Sequence, residues 1–488
     1  SSQQDGPSAL SSAGAGGYVA AAGATAGETS TLKAGNGGGG TTGGVPNGGS
    51  GDTAGGPVVA AGGAQAGQGG AAPGTGGAAS GAGGTTNGGT TNSGGTSGSG
   101  RTTGSGGATS GGGSSATGGA TNAAGATNGT GGASGGDVTP AQGYLHTSGS
   151  KVVDWQGNEV RLTGLSWFGL ETSNYSPHGL WSRSLASYLD QIKQLGYNSL
   201  RIPFCSQMFD AGSMPNSIDQ NSNPDLVGLT PIQILDKVVA GAKARGLKII
   251  LDRHRPDSGG QSALWYTSQY SEDRWISDWK MLAMRYLGDS TVIGCDLHNE
   301  PHDTASWGDG NMATDWRAAA ERAGNAILSV NPQLLIIVEG IQNYAGTSYW
   351  WGGNLRGAGS APVSLSVKNR VVYSAHDYPS SVSDQTWFHD ASYPSNLPSV
   401  WHDAWGYLVD QNVAPVWVGE FGTTLMTDSD TKWLNSMASY IQSKRLNFAF
   451  WCWNPDSGDT GGILEDDWMT VNQNKQSVLQ PLLAPLIQ

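Results

Sequence analysis

Val292-Ile293-Gly294-Cys295-Asp296-Leu297-His298-Asn299-Glu300-Pro301 is an apolar run that stops at a glutamate. Ala414-Pro415-Val416-Trp417-Val418-Gly419-Glu420-Phe421-Gly422 repeats that form, its glutamate 120 residues further on. Six other short apolar runs accompany them: Leu162–Trp167, Asn198–Phe204, Lys248–His254, Leu334–Gly340, Arg370–Tyr378 and Asn447–Asn454. Several are almost continuously apolar, as strands covered on both faces are.

Stretches of helical period separate most of these runs. Ser184–Leu195 ends at Gly196, a C-terminal stop. Thr230-Pro231 opens a helix over Thr230–Ala244 with an N-cap and a proline at the first helical position. Ala313–Val330 and Thr431–Lys444 carry the same period. Strands alternating with helices predict an α/β fold, and eight strands predict a closed (β/α)8 TIM barrel. An open doubly wound sheet is the rival; no glycine-rich fingerprint follows the first strand. Upstream, Lys151–Asp154, Trp155–Asn158 and Glu159–Leu162 read as strand, turn and strand. That N-terminal β-hairpin is expected to plug the bottom of the barrel.

Residues 1–140 differ in kind. They hold 49 of the 79 glycines, and Tyr18 is their only aromatic side chain. The remainder is rich in Ser, Thr, Ala and Asn, with too little apolar area to offset the entropy of ordering. A disordered tail or linker is expected there, followed by one barrel domain over 141–488. All 18 tryptophans lie in that second part. The net charge of −13 argues against nucleic acid or an anionic membrane as partner. No apolar run reaches the length of a membrane span. Cys205, Cys295 and Cys452 are too few for a disulfide framework, leaving either one bridge or free buried thiols.

In a barrel, reacting groups gather where the strands end at the C-terminal face. Those ends carry Arg201, Asp252 and His254, Asn299 and Glu300, Glu339, His376 and Tyr378, Glu420, and Trp453. Each has an ordinary reading too: Arg201 as an ion-pair partner, the histidines as core residues, Trp453 as barrel filling. Asp252 and Glu339 are read that way, as unremarkable acids at the mouth. Glu300 and Glu420 on one face suit cleavage of a glycosidic bond, which needs one protonated and one ionised carboxyl group. An arginine keeps the ionised group charged, and a tryptophan offers a flat platform to a sugar ring.

At these residues the chain resembles glycoside hydrolase family 5. His298-Asn299-Glu300-Pro301 is similar to the Asn-Glu-Pro signature of that family, and Leu200–Pro203, His376–Tyr378 and Gly419–Gly422 match its other blocks in order. Leu251–Pro256 and Trp453–Gly462 resemble secreted bacterial endo-β-1,4-glucanases, or cellulases, within it. The resemblance implies Glu300 as acid/base and Glu420 as nucleophile. It implies Arg201 beneath Glu420, Asn299 on a sugar 2-hydroxyl, His254, His376 and Tyr378 around the distorted sugar, and Trp453 stacked under it. For Asn299 and Glu300 both to act, strand four must end in a bulge or begin its turn there.

Trp181, Trp265, Trp350, Trp351 and Trp387 fall in long loops, where they suit either stacking on glucose rings or capping the loop. Ser173 and Ser258 stand in loops that close relatives can staple with disulfides. The expected function is a retaining endo-β-1,4-glucanase without cofactor or metal, monomeric, with a polysaccharide as partner. It is expected to be secreted after loss of a leader and tethered to a surface by the tail. The alternatives are the same chemistry on β-mannan, xyloglucan or mixed-linkage glucan, and a non-catalytic polysaccharide binder.

Overall fold

The computed structural model describes residues Asp137–Gln488. The expected tail lies almost wholly outside the described residues. The folded part begins slightly before residue 141: Arg370 Nη2 donates to the Val138 carbonyl (3.2 Å) and Gln333 Nε2 to that of Thr139 (3.2 Å).

Eight parallel strands close into a barrel. They are β1 (Thr163–Ser166), β2 (Ser199–Cys205), β3 (Lys248–Arg255), β4 (Val292–Asp296), β5 (Leu335–Glu339), β6 (Val371–His376), β7 (Val416–Glu420) and β8 (Asn447–Phe450). Every residue of β2, β3, β4, β5, β7 and β8 is buried, which explains the unbroken apolar runs. Pairing of β8 with β1 and of β5 with β6 completes the ring, so no strand edge is left open.

Helices cover the outside, starting where local chemistry dictates. Ser184 caps α1 (Leu185–Gln194). Thr230 and Gln233 form a capping box on α2 (Pro231–Lys243). Ser271 caps α3 (Glu272–Arg285), a helix the periodicity did not single out. Asp315 caps α4 (Trp316–Leu328), three residues inside the expected start, because its carboxylate also gathers the Gly308 and Gly310 amides (2.9 Å each). Two short helices, α5 (Leu397–Trp401) and α6 (Tyr407–Asp410), precede β7. Thr427 caps α7 (Asp428–Lys444), and α8 (Gln473–Leu479) follows β8.

The N-terminal hairpin is the larger part of a three-stranded antiparallel sheet, Leu145–Ser148, Lys151–Asp154 and Glu159–Val160. Leu145 and Val152 pack against Ile250, Ile293, Leu335, Val372 and Trp417 of the barrel lumen. The hairpin thus seals the N-terminal end as expected, and the opposite mouth is left for chemistry. All three cysteines are buried and free, so the thiol alternative holds. At Ser173 and Ser258 the loops are held by hydrogen bonds instead: Asn216 Nδ2 donates to the Ser173 carbonyl (2.8 Å), and Ser258 donates twice to Gln207 Oε1 (2.9 Å each).

Candidate active site

The C-terminal mouth is organised by one buried cation. Arg201, on β2, is fully buried. Its Nε donates to Asp296 Oδ2 (2.9 Å), and its Nη2 to Asn299 Oδ1 (2.8 Å) and Glu339 Oε1 (3.2 Å). Nη2 also lies 3.1 Å from Asp252 Oδ2, and Nη1 donates to Glu420 Oε1. Each acid sits at or near the end of a different strand, so the inward turn of five strands makes the cluster. Asp252 and Glu339 are therefore not the solvated strand ends expected: both are fully buried. Burial raises Asp252 and Asp296 to about 7 and Glu339 well above the usual carboxylate range. One arginine cannot neutralise four carboxylates, and retained protons relieve the excess. Asp252, Asp296 and Glu339 each bring an oxygen within 4.8 Å of the others, a spacing a metal ion could bridge. The Arg201 guanidinium supplies the positive charge among them.

Glu420 ends β7. Besides Arg201 it accepts from the Tyr378 hydroxyl (2.7 Å). A register shift between Ala375 and His376 sets His376 opposite Glu420. This bulge re-aims the imidazole into the mouth. Gly422 permits the next step of the chain, since a Cβ there would overlap the Trp451 carbonyl.

Glu300 sits differently. The β4 ladder stops at Asp296, and Glu300 adopts a left-handed backbone with φ +53°. The expected turn after strand four is present, and it lets Asn299 and Glu300 both serve the mouth. The Glu300 N–H donates to Glu339 Oε2 (2.7 Å), and its carbonyl lies 2.6 Å from His302 Nδ1. Burial pushes the Glu300 carboxyl up to about 7. His376 Nδ1 lies 3.1 Å from Glu300 Oε1 and 3.6 Å from Glu420 Oε2. Oxygens of the two glutamates lie within 4.8 Å of each other. Burial lowers His254 and His376 to about 3, so both imidazoles are neutral at pH 7.

The aromatic shell divides. Trp453 is fully buried, edge-on to Tyr188 at 6.3 Å, and presents no face to a ligand. This corrects the platform role expected of it: barrel filling, the plainer reading, is what the packing shows. Trp451, two residues earlier, stacks on His254 (5.2 Å, 7°) and on Phe168 (5.6 Å, 11°). Sequence inspection missed it, because the strand ends at Phe450 and alternation no longer says which of Trp451 and Trp453 faces the mouth. The aromatic contacts continue from Phe168 to His178 (5.0 Å) and on to Trp181 (5.2 Å), which is 39% exposed at the rim. Across the mouth, Trp351 stacks on His302 (3.7 Å, 8°). With Glu300, Tyr349, Trp350 and Tyr378 it lines a pocket of about 280 Å³. Trp387 stacks on Tyr349 (5.3 Å). Trp265, in contrast, is fully buried and donates to Glu272 (2.7 Å), a core residue rather than a cleft one.

A parallel barrel whose mouth holds two unlike carboxyl groups, one arginine-bound and one kept protonated, is a glycoside hydrolase by fold and by chemistry. Residues 153–457 match the cellulase model of glycosyl hydrolase family 5. The chain is 58% identical over 356 residues to an endoglucanase of Paenibacillus polymyxa, covering 72% of this chain and 90% of that protein. It is 42% identical to the major extracellular endoglucanase of Xanthomonas campestris, covering 70% of this chain and 72% of the other. The solved structure of that enzyme's catalytic domain superposes with a TM-score of 0.67 at 41% identity, covering 70% of this chain and 99% of that one. An endocellulase of Pyrococcus horikoshii, solved with cellotetraose, gives 0.67 at 39% identity over 71% of this chain and all of the other. This chain belongs to glycosyl hydrolase family 5.

Proposed function

We propose that this protein is a retaining endo-β-1,4-glucanase that cleaves internal bonds of cellulose by double displacement. The observation that carries the mechanism is the approach of the Glu300 and Glu420 oxygens to within 4.8 Å. Retention uses carboxyl groups about 5–5.5 Å apart, and inversion needs about 6.5–9.5 Å to admit a water.

Glu420 is the nucleophile. Arg201 and Tyr378 hold one oxygen each and aim the carboxylate at the anomeric carbon. Glu300, protonated near neutral pH, gives its proton to the glycosidic oxygen as that bond breaks. The same residue then takes a proton from water, which attacks the glycosyl–Glu420 ester and restores the β configuration. Asn299 spends its Oδ1 on Arg201, while its buried Nδ2 has no partner among the described residues. That free donor suits the sugar 2-hydroxyl. Trp451, flanked by His254, replaces Trp453 as the platform of the reacting sugar. Trp181 and Trp351 extend the cleft to either side of it.

The substrate is a polysaccharide, as for the family. Among the described residues no helix is long and apolar enough to cross a membrane. A relative at 42% identity is described as extracellular, which supports secretion for this chain. We assign it as a monomer whose N-terminal segment tethers the catalytic domain.

Sugar release from carboxymethylcellulose, β-mannan, xyloglucan and mixed-linkage glucan tests the substrate. The carboxymethylcellulose rate is expected to lead, and a faster rate on another glycan would replace the assignment. Proton NMR of the first product is expected to show the β-anomer, and an initial α-anomer would rule out retention. Adsorption to cellulose without any sugar release would leave only a binding role.

A further inference from the structure

The Glu300 peptide sits in a backbone region that side-chain-bearing residues avoid, at φ +53°. Something must hold it there. Its N–H is taken by Glu339 Oε2 (2.7 Å), and its carbonyl lies against His302 Nδ1 (2.6 Å). The other Glu339 oxygen accepts from Arg201 (3.2 Å) and lies 3.4 Å from His376 Nε2. Glu339 is fully buried, and Trp316 Nε1 donates to its main-chain carbonyl (2.9 Å), which fixes the end of β5. The loop after β5 closes over this contact at Gly352. A Cβ at Gly352 would overlap Glu339 Oε2 and come within 3.3 Å of the Glu300 Cα. The glycine therefore lets the Trp350–Trp351 loop press the Glu339–Glu300 contact shut.

We infer that Glu339 is a positioning residue for proton donation: its carboxyl group clamps the strained Glu300 peptide and so aims the Glu300 acid at the leaving oxygen. This rests on the acid role proposed for Glu300. Even when protonated, the Glu339 carboxyl group keeps an acceptor lone pair on each oxygen, whereas an amide nitrogen accepts nothing, so Glu339→Gln cannot serve both Arg201 and the Glu300 N–H. The acid then loses its aim, while the Arg201–Glu420 contact keeps the nucleophile in place.

Leaving-group dependence tests this. A dinitrophenyl β-cellobioside leaves without a proton, whereas cellotetraose requires one. Because misplacement by about 1 Å costs on the order of 10²-fold, kcat/KM of Glu339→Gln on cellotetraose is expected to fall about 30- to 100-fold. On the dinitrophenyl substrate the fall is expected to stay below about 3-fold, since general-acid assistance is not used there. Equal losses on both substrates, or no loss on either, would overturn the inference. Should Glu339→Gln fail to fold, Glu339→Asp decides by the same comparison: it keeps a carboxyl group but is too short to reach both partners. Glu300→Gln is the control. If that variant shows no leaving-group dependence, the acid assignment itself fails; if it does and both position-339 variants do not, only the role of Glu339 fails.

Discussion

Glu300 and Glu420 approach each other within 4.8 Å across His376, yet their backbones and partners are unlike. Glu420 closes a regular strand and receives Arg201 and Tyr378. Glu300 lies beyond its strand, left-handed, with no cation on its carboxyl group and with burial favouring its proton. Two identical side chains thus meet opposite surroundings, which suit the opposite roles proposed for them.

The proton on Glu300 sets the alkaline side of the activity profile. With its carboxyl raised to about 7, kcat/KM is expected to fall tenfold per pH unit well above that value. Linkage adds a stability effect. A folded-state value above the ordinary 4.5 favours folding below about 4.5, and that contribution is lost as pH rises through about 7. Glu300→Gln mimics the protonated form at every pH. Thermal or urea unfolding should therefore show the variant gaining on wild type between pH 5 and 8, by up to about 3 kcal/mol. A constant difference would remove Glu300 as the titrating group.

Both catalytic substitutions should abolish turnover. Glu420→Gln and Glu300→Gln are each expected to lose at least about 10³-fold on carboxymethylcellulose, from the size of nucleophilic and general-acid effects. Reducing-sugar release measures this, and full activity in either variant would refute its role.

Arg201 is the partner that four acids share. Arg201→Met leaves buried carboxyl groups without a cation and is expected to destabilise the protein by about 3–5 kcal/mol. Arg201→Lys keeps the charge but cannot donate in three directions from a plane. It should fold, with kcat reduced at least about tenfold. Denaturant midpoints and steady-state kinetics separate the two effects.

The two tryptophans of β8's end should part ways. Trp453→Ala opens a cavity in a fully buried site and is expected to cost about 3–5 kcal/mol of stability. Trp451→Ala should act mainly on kcat/KM, with a smaller effect on unfolding. A reversed pattern would return the platform to Trp453.

Asn299→Ala removes the free buried donor beside Glu300. Because a contact to the 2-hydroxyl strengthens in the transition state, kcat is expected to fall about 10²-fold with KM nearly unchanged. A 2-deoxy substrate should erase most of the difference between variant and wild type. Undiminished discrimination on that substrate would place Asn299 in a structural role only.

The chain's local chemistry determined a great deal on its own. Short apolar runs marked all eight strands, and Ser184, Thr230 and Gly196 marked helix ends, because burial pattern and capping act within a few residues. The Asn299-Glu300-Pro301 and Gly419–Gly422 motifs marked the strand ends that carry the two proposed reacting groups. Tertiary structure alone decided the rest. The family resemblance had set Arg201 beneath Glu420, but that Asp252, Asp296 and Glu339 meet the same guanidinium came only from the fold, over separations across which no sequence period extends. The choice of Trp451 over Trp453 depended on which side chain Tyr188 and the α1 layer had already buried. Glu339 looked like a solvated strand end until the fold closed Gly352 over it. A sequence states which groups are available at each strand end, and the desolvation and crowding that give each its task arise only once the barrel has closed.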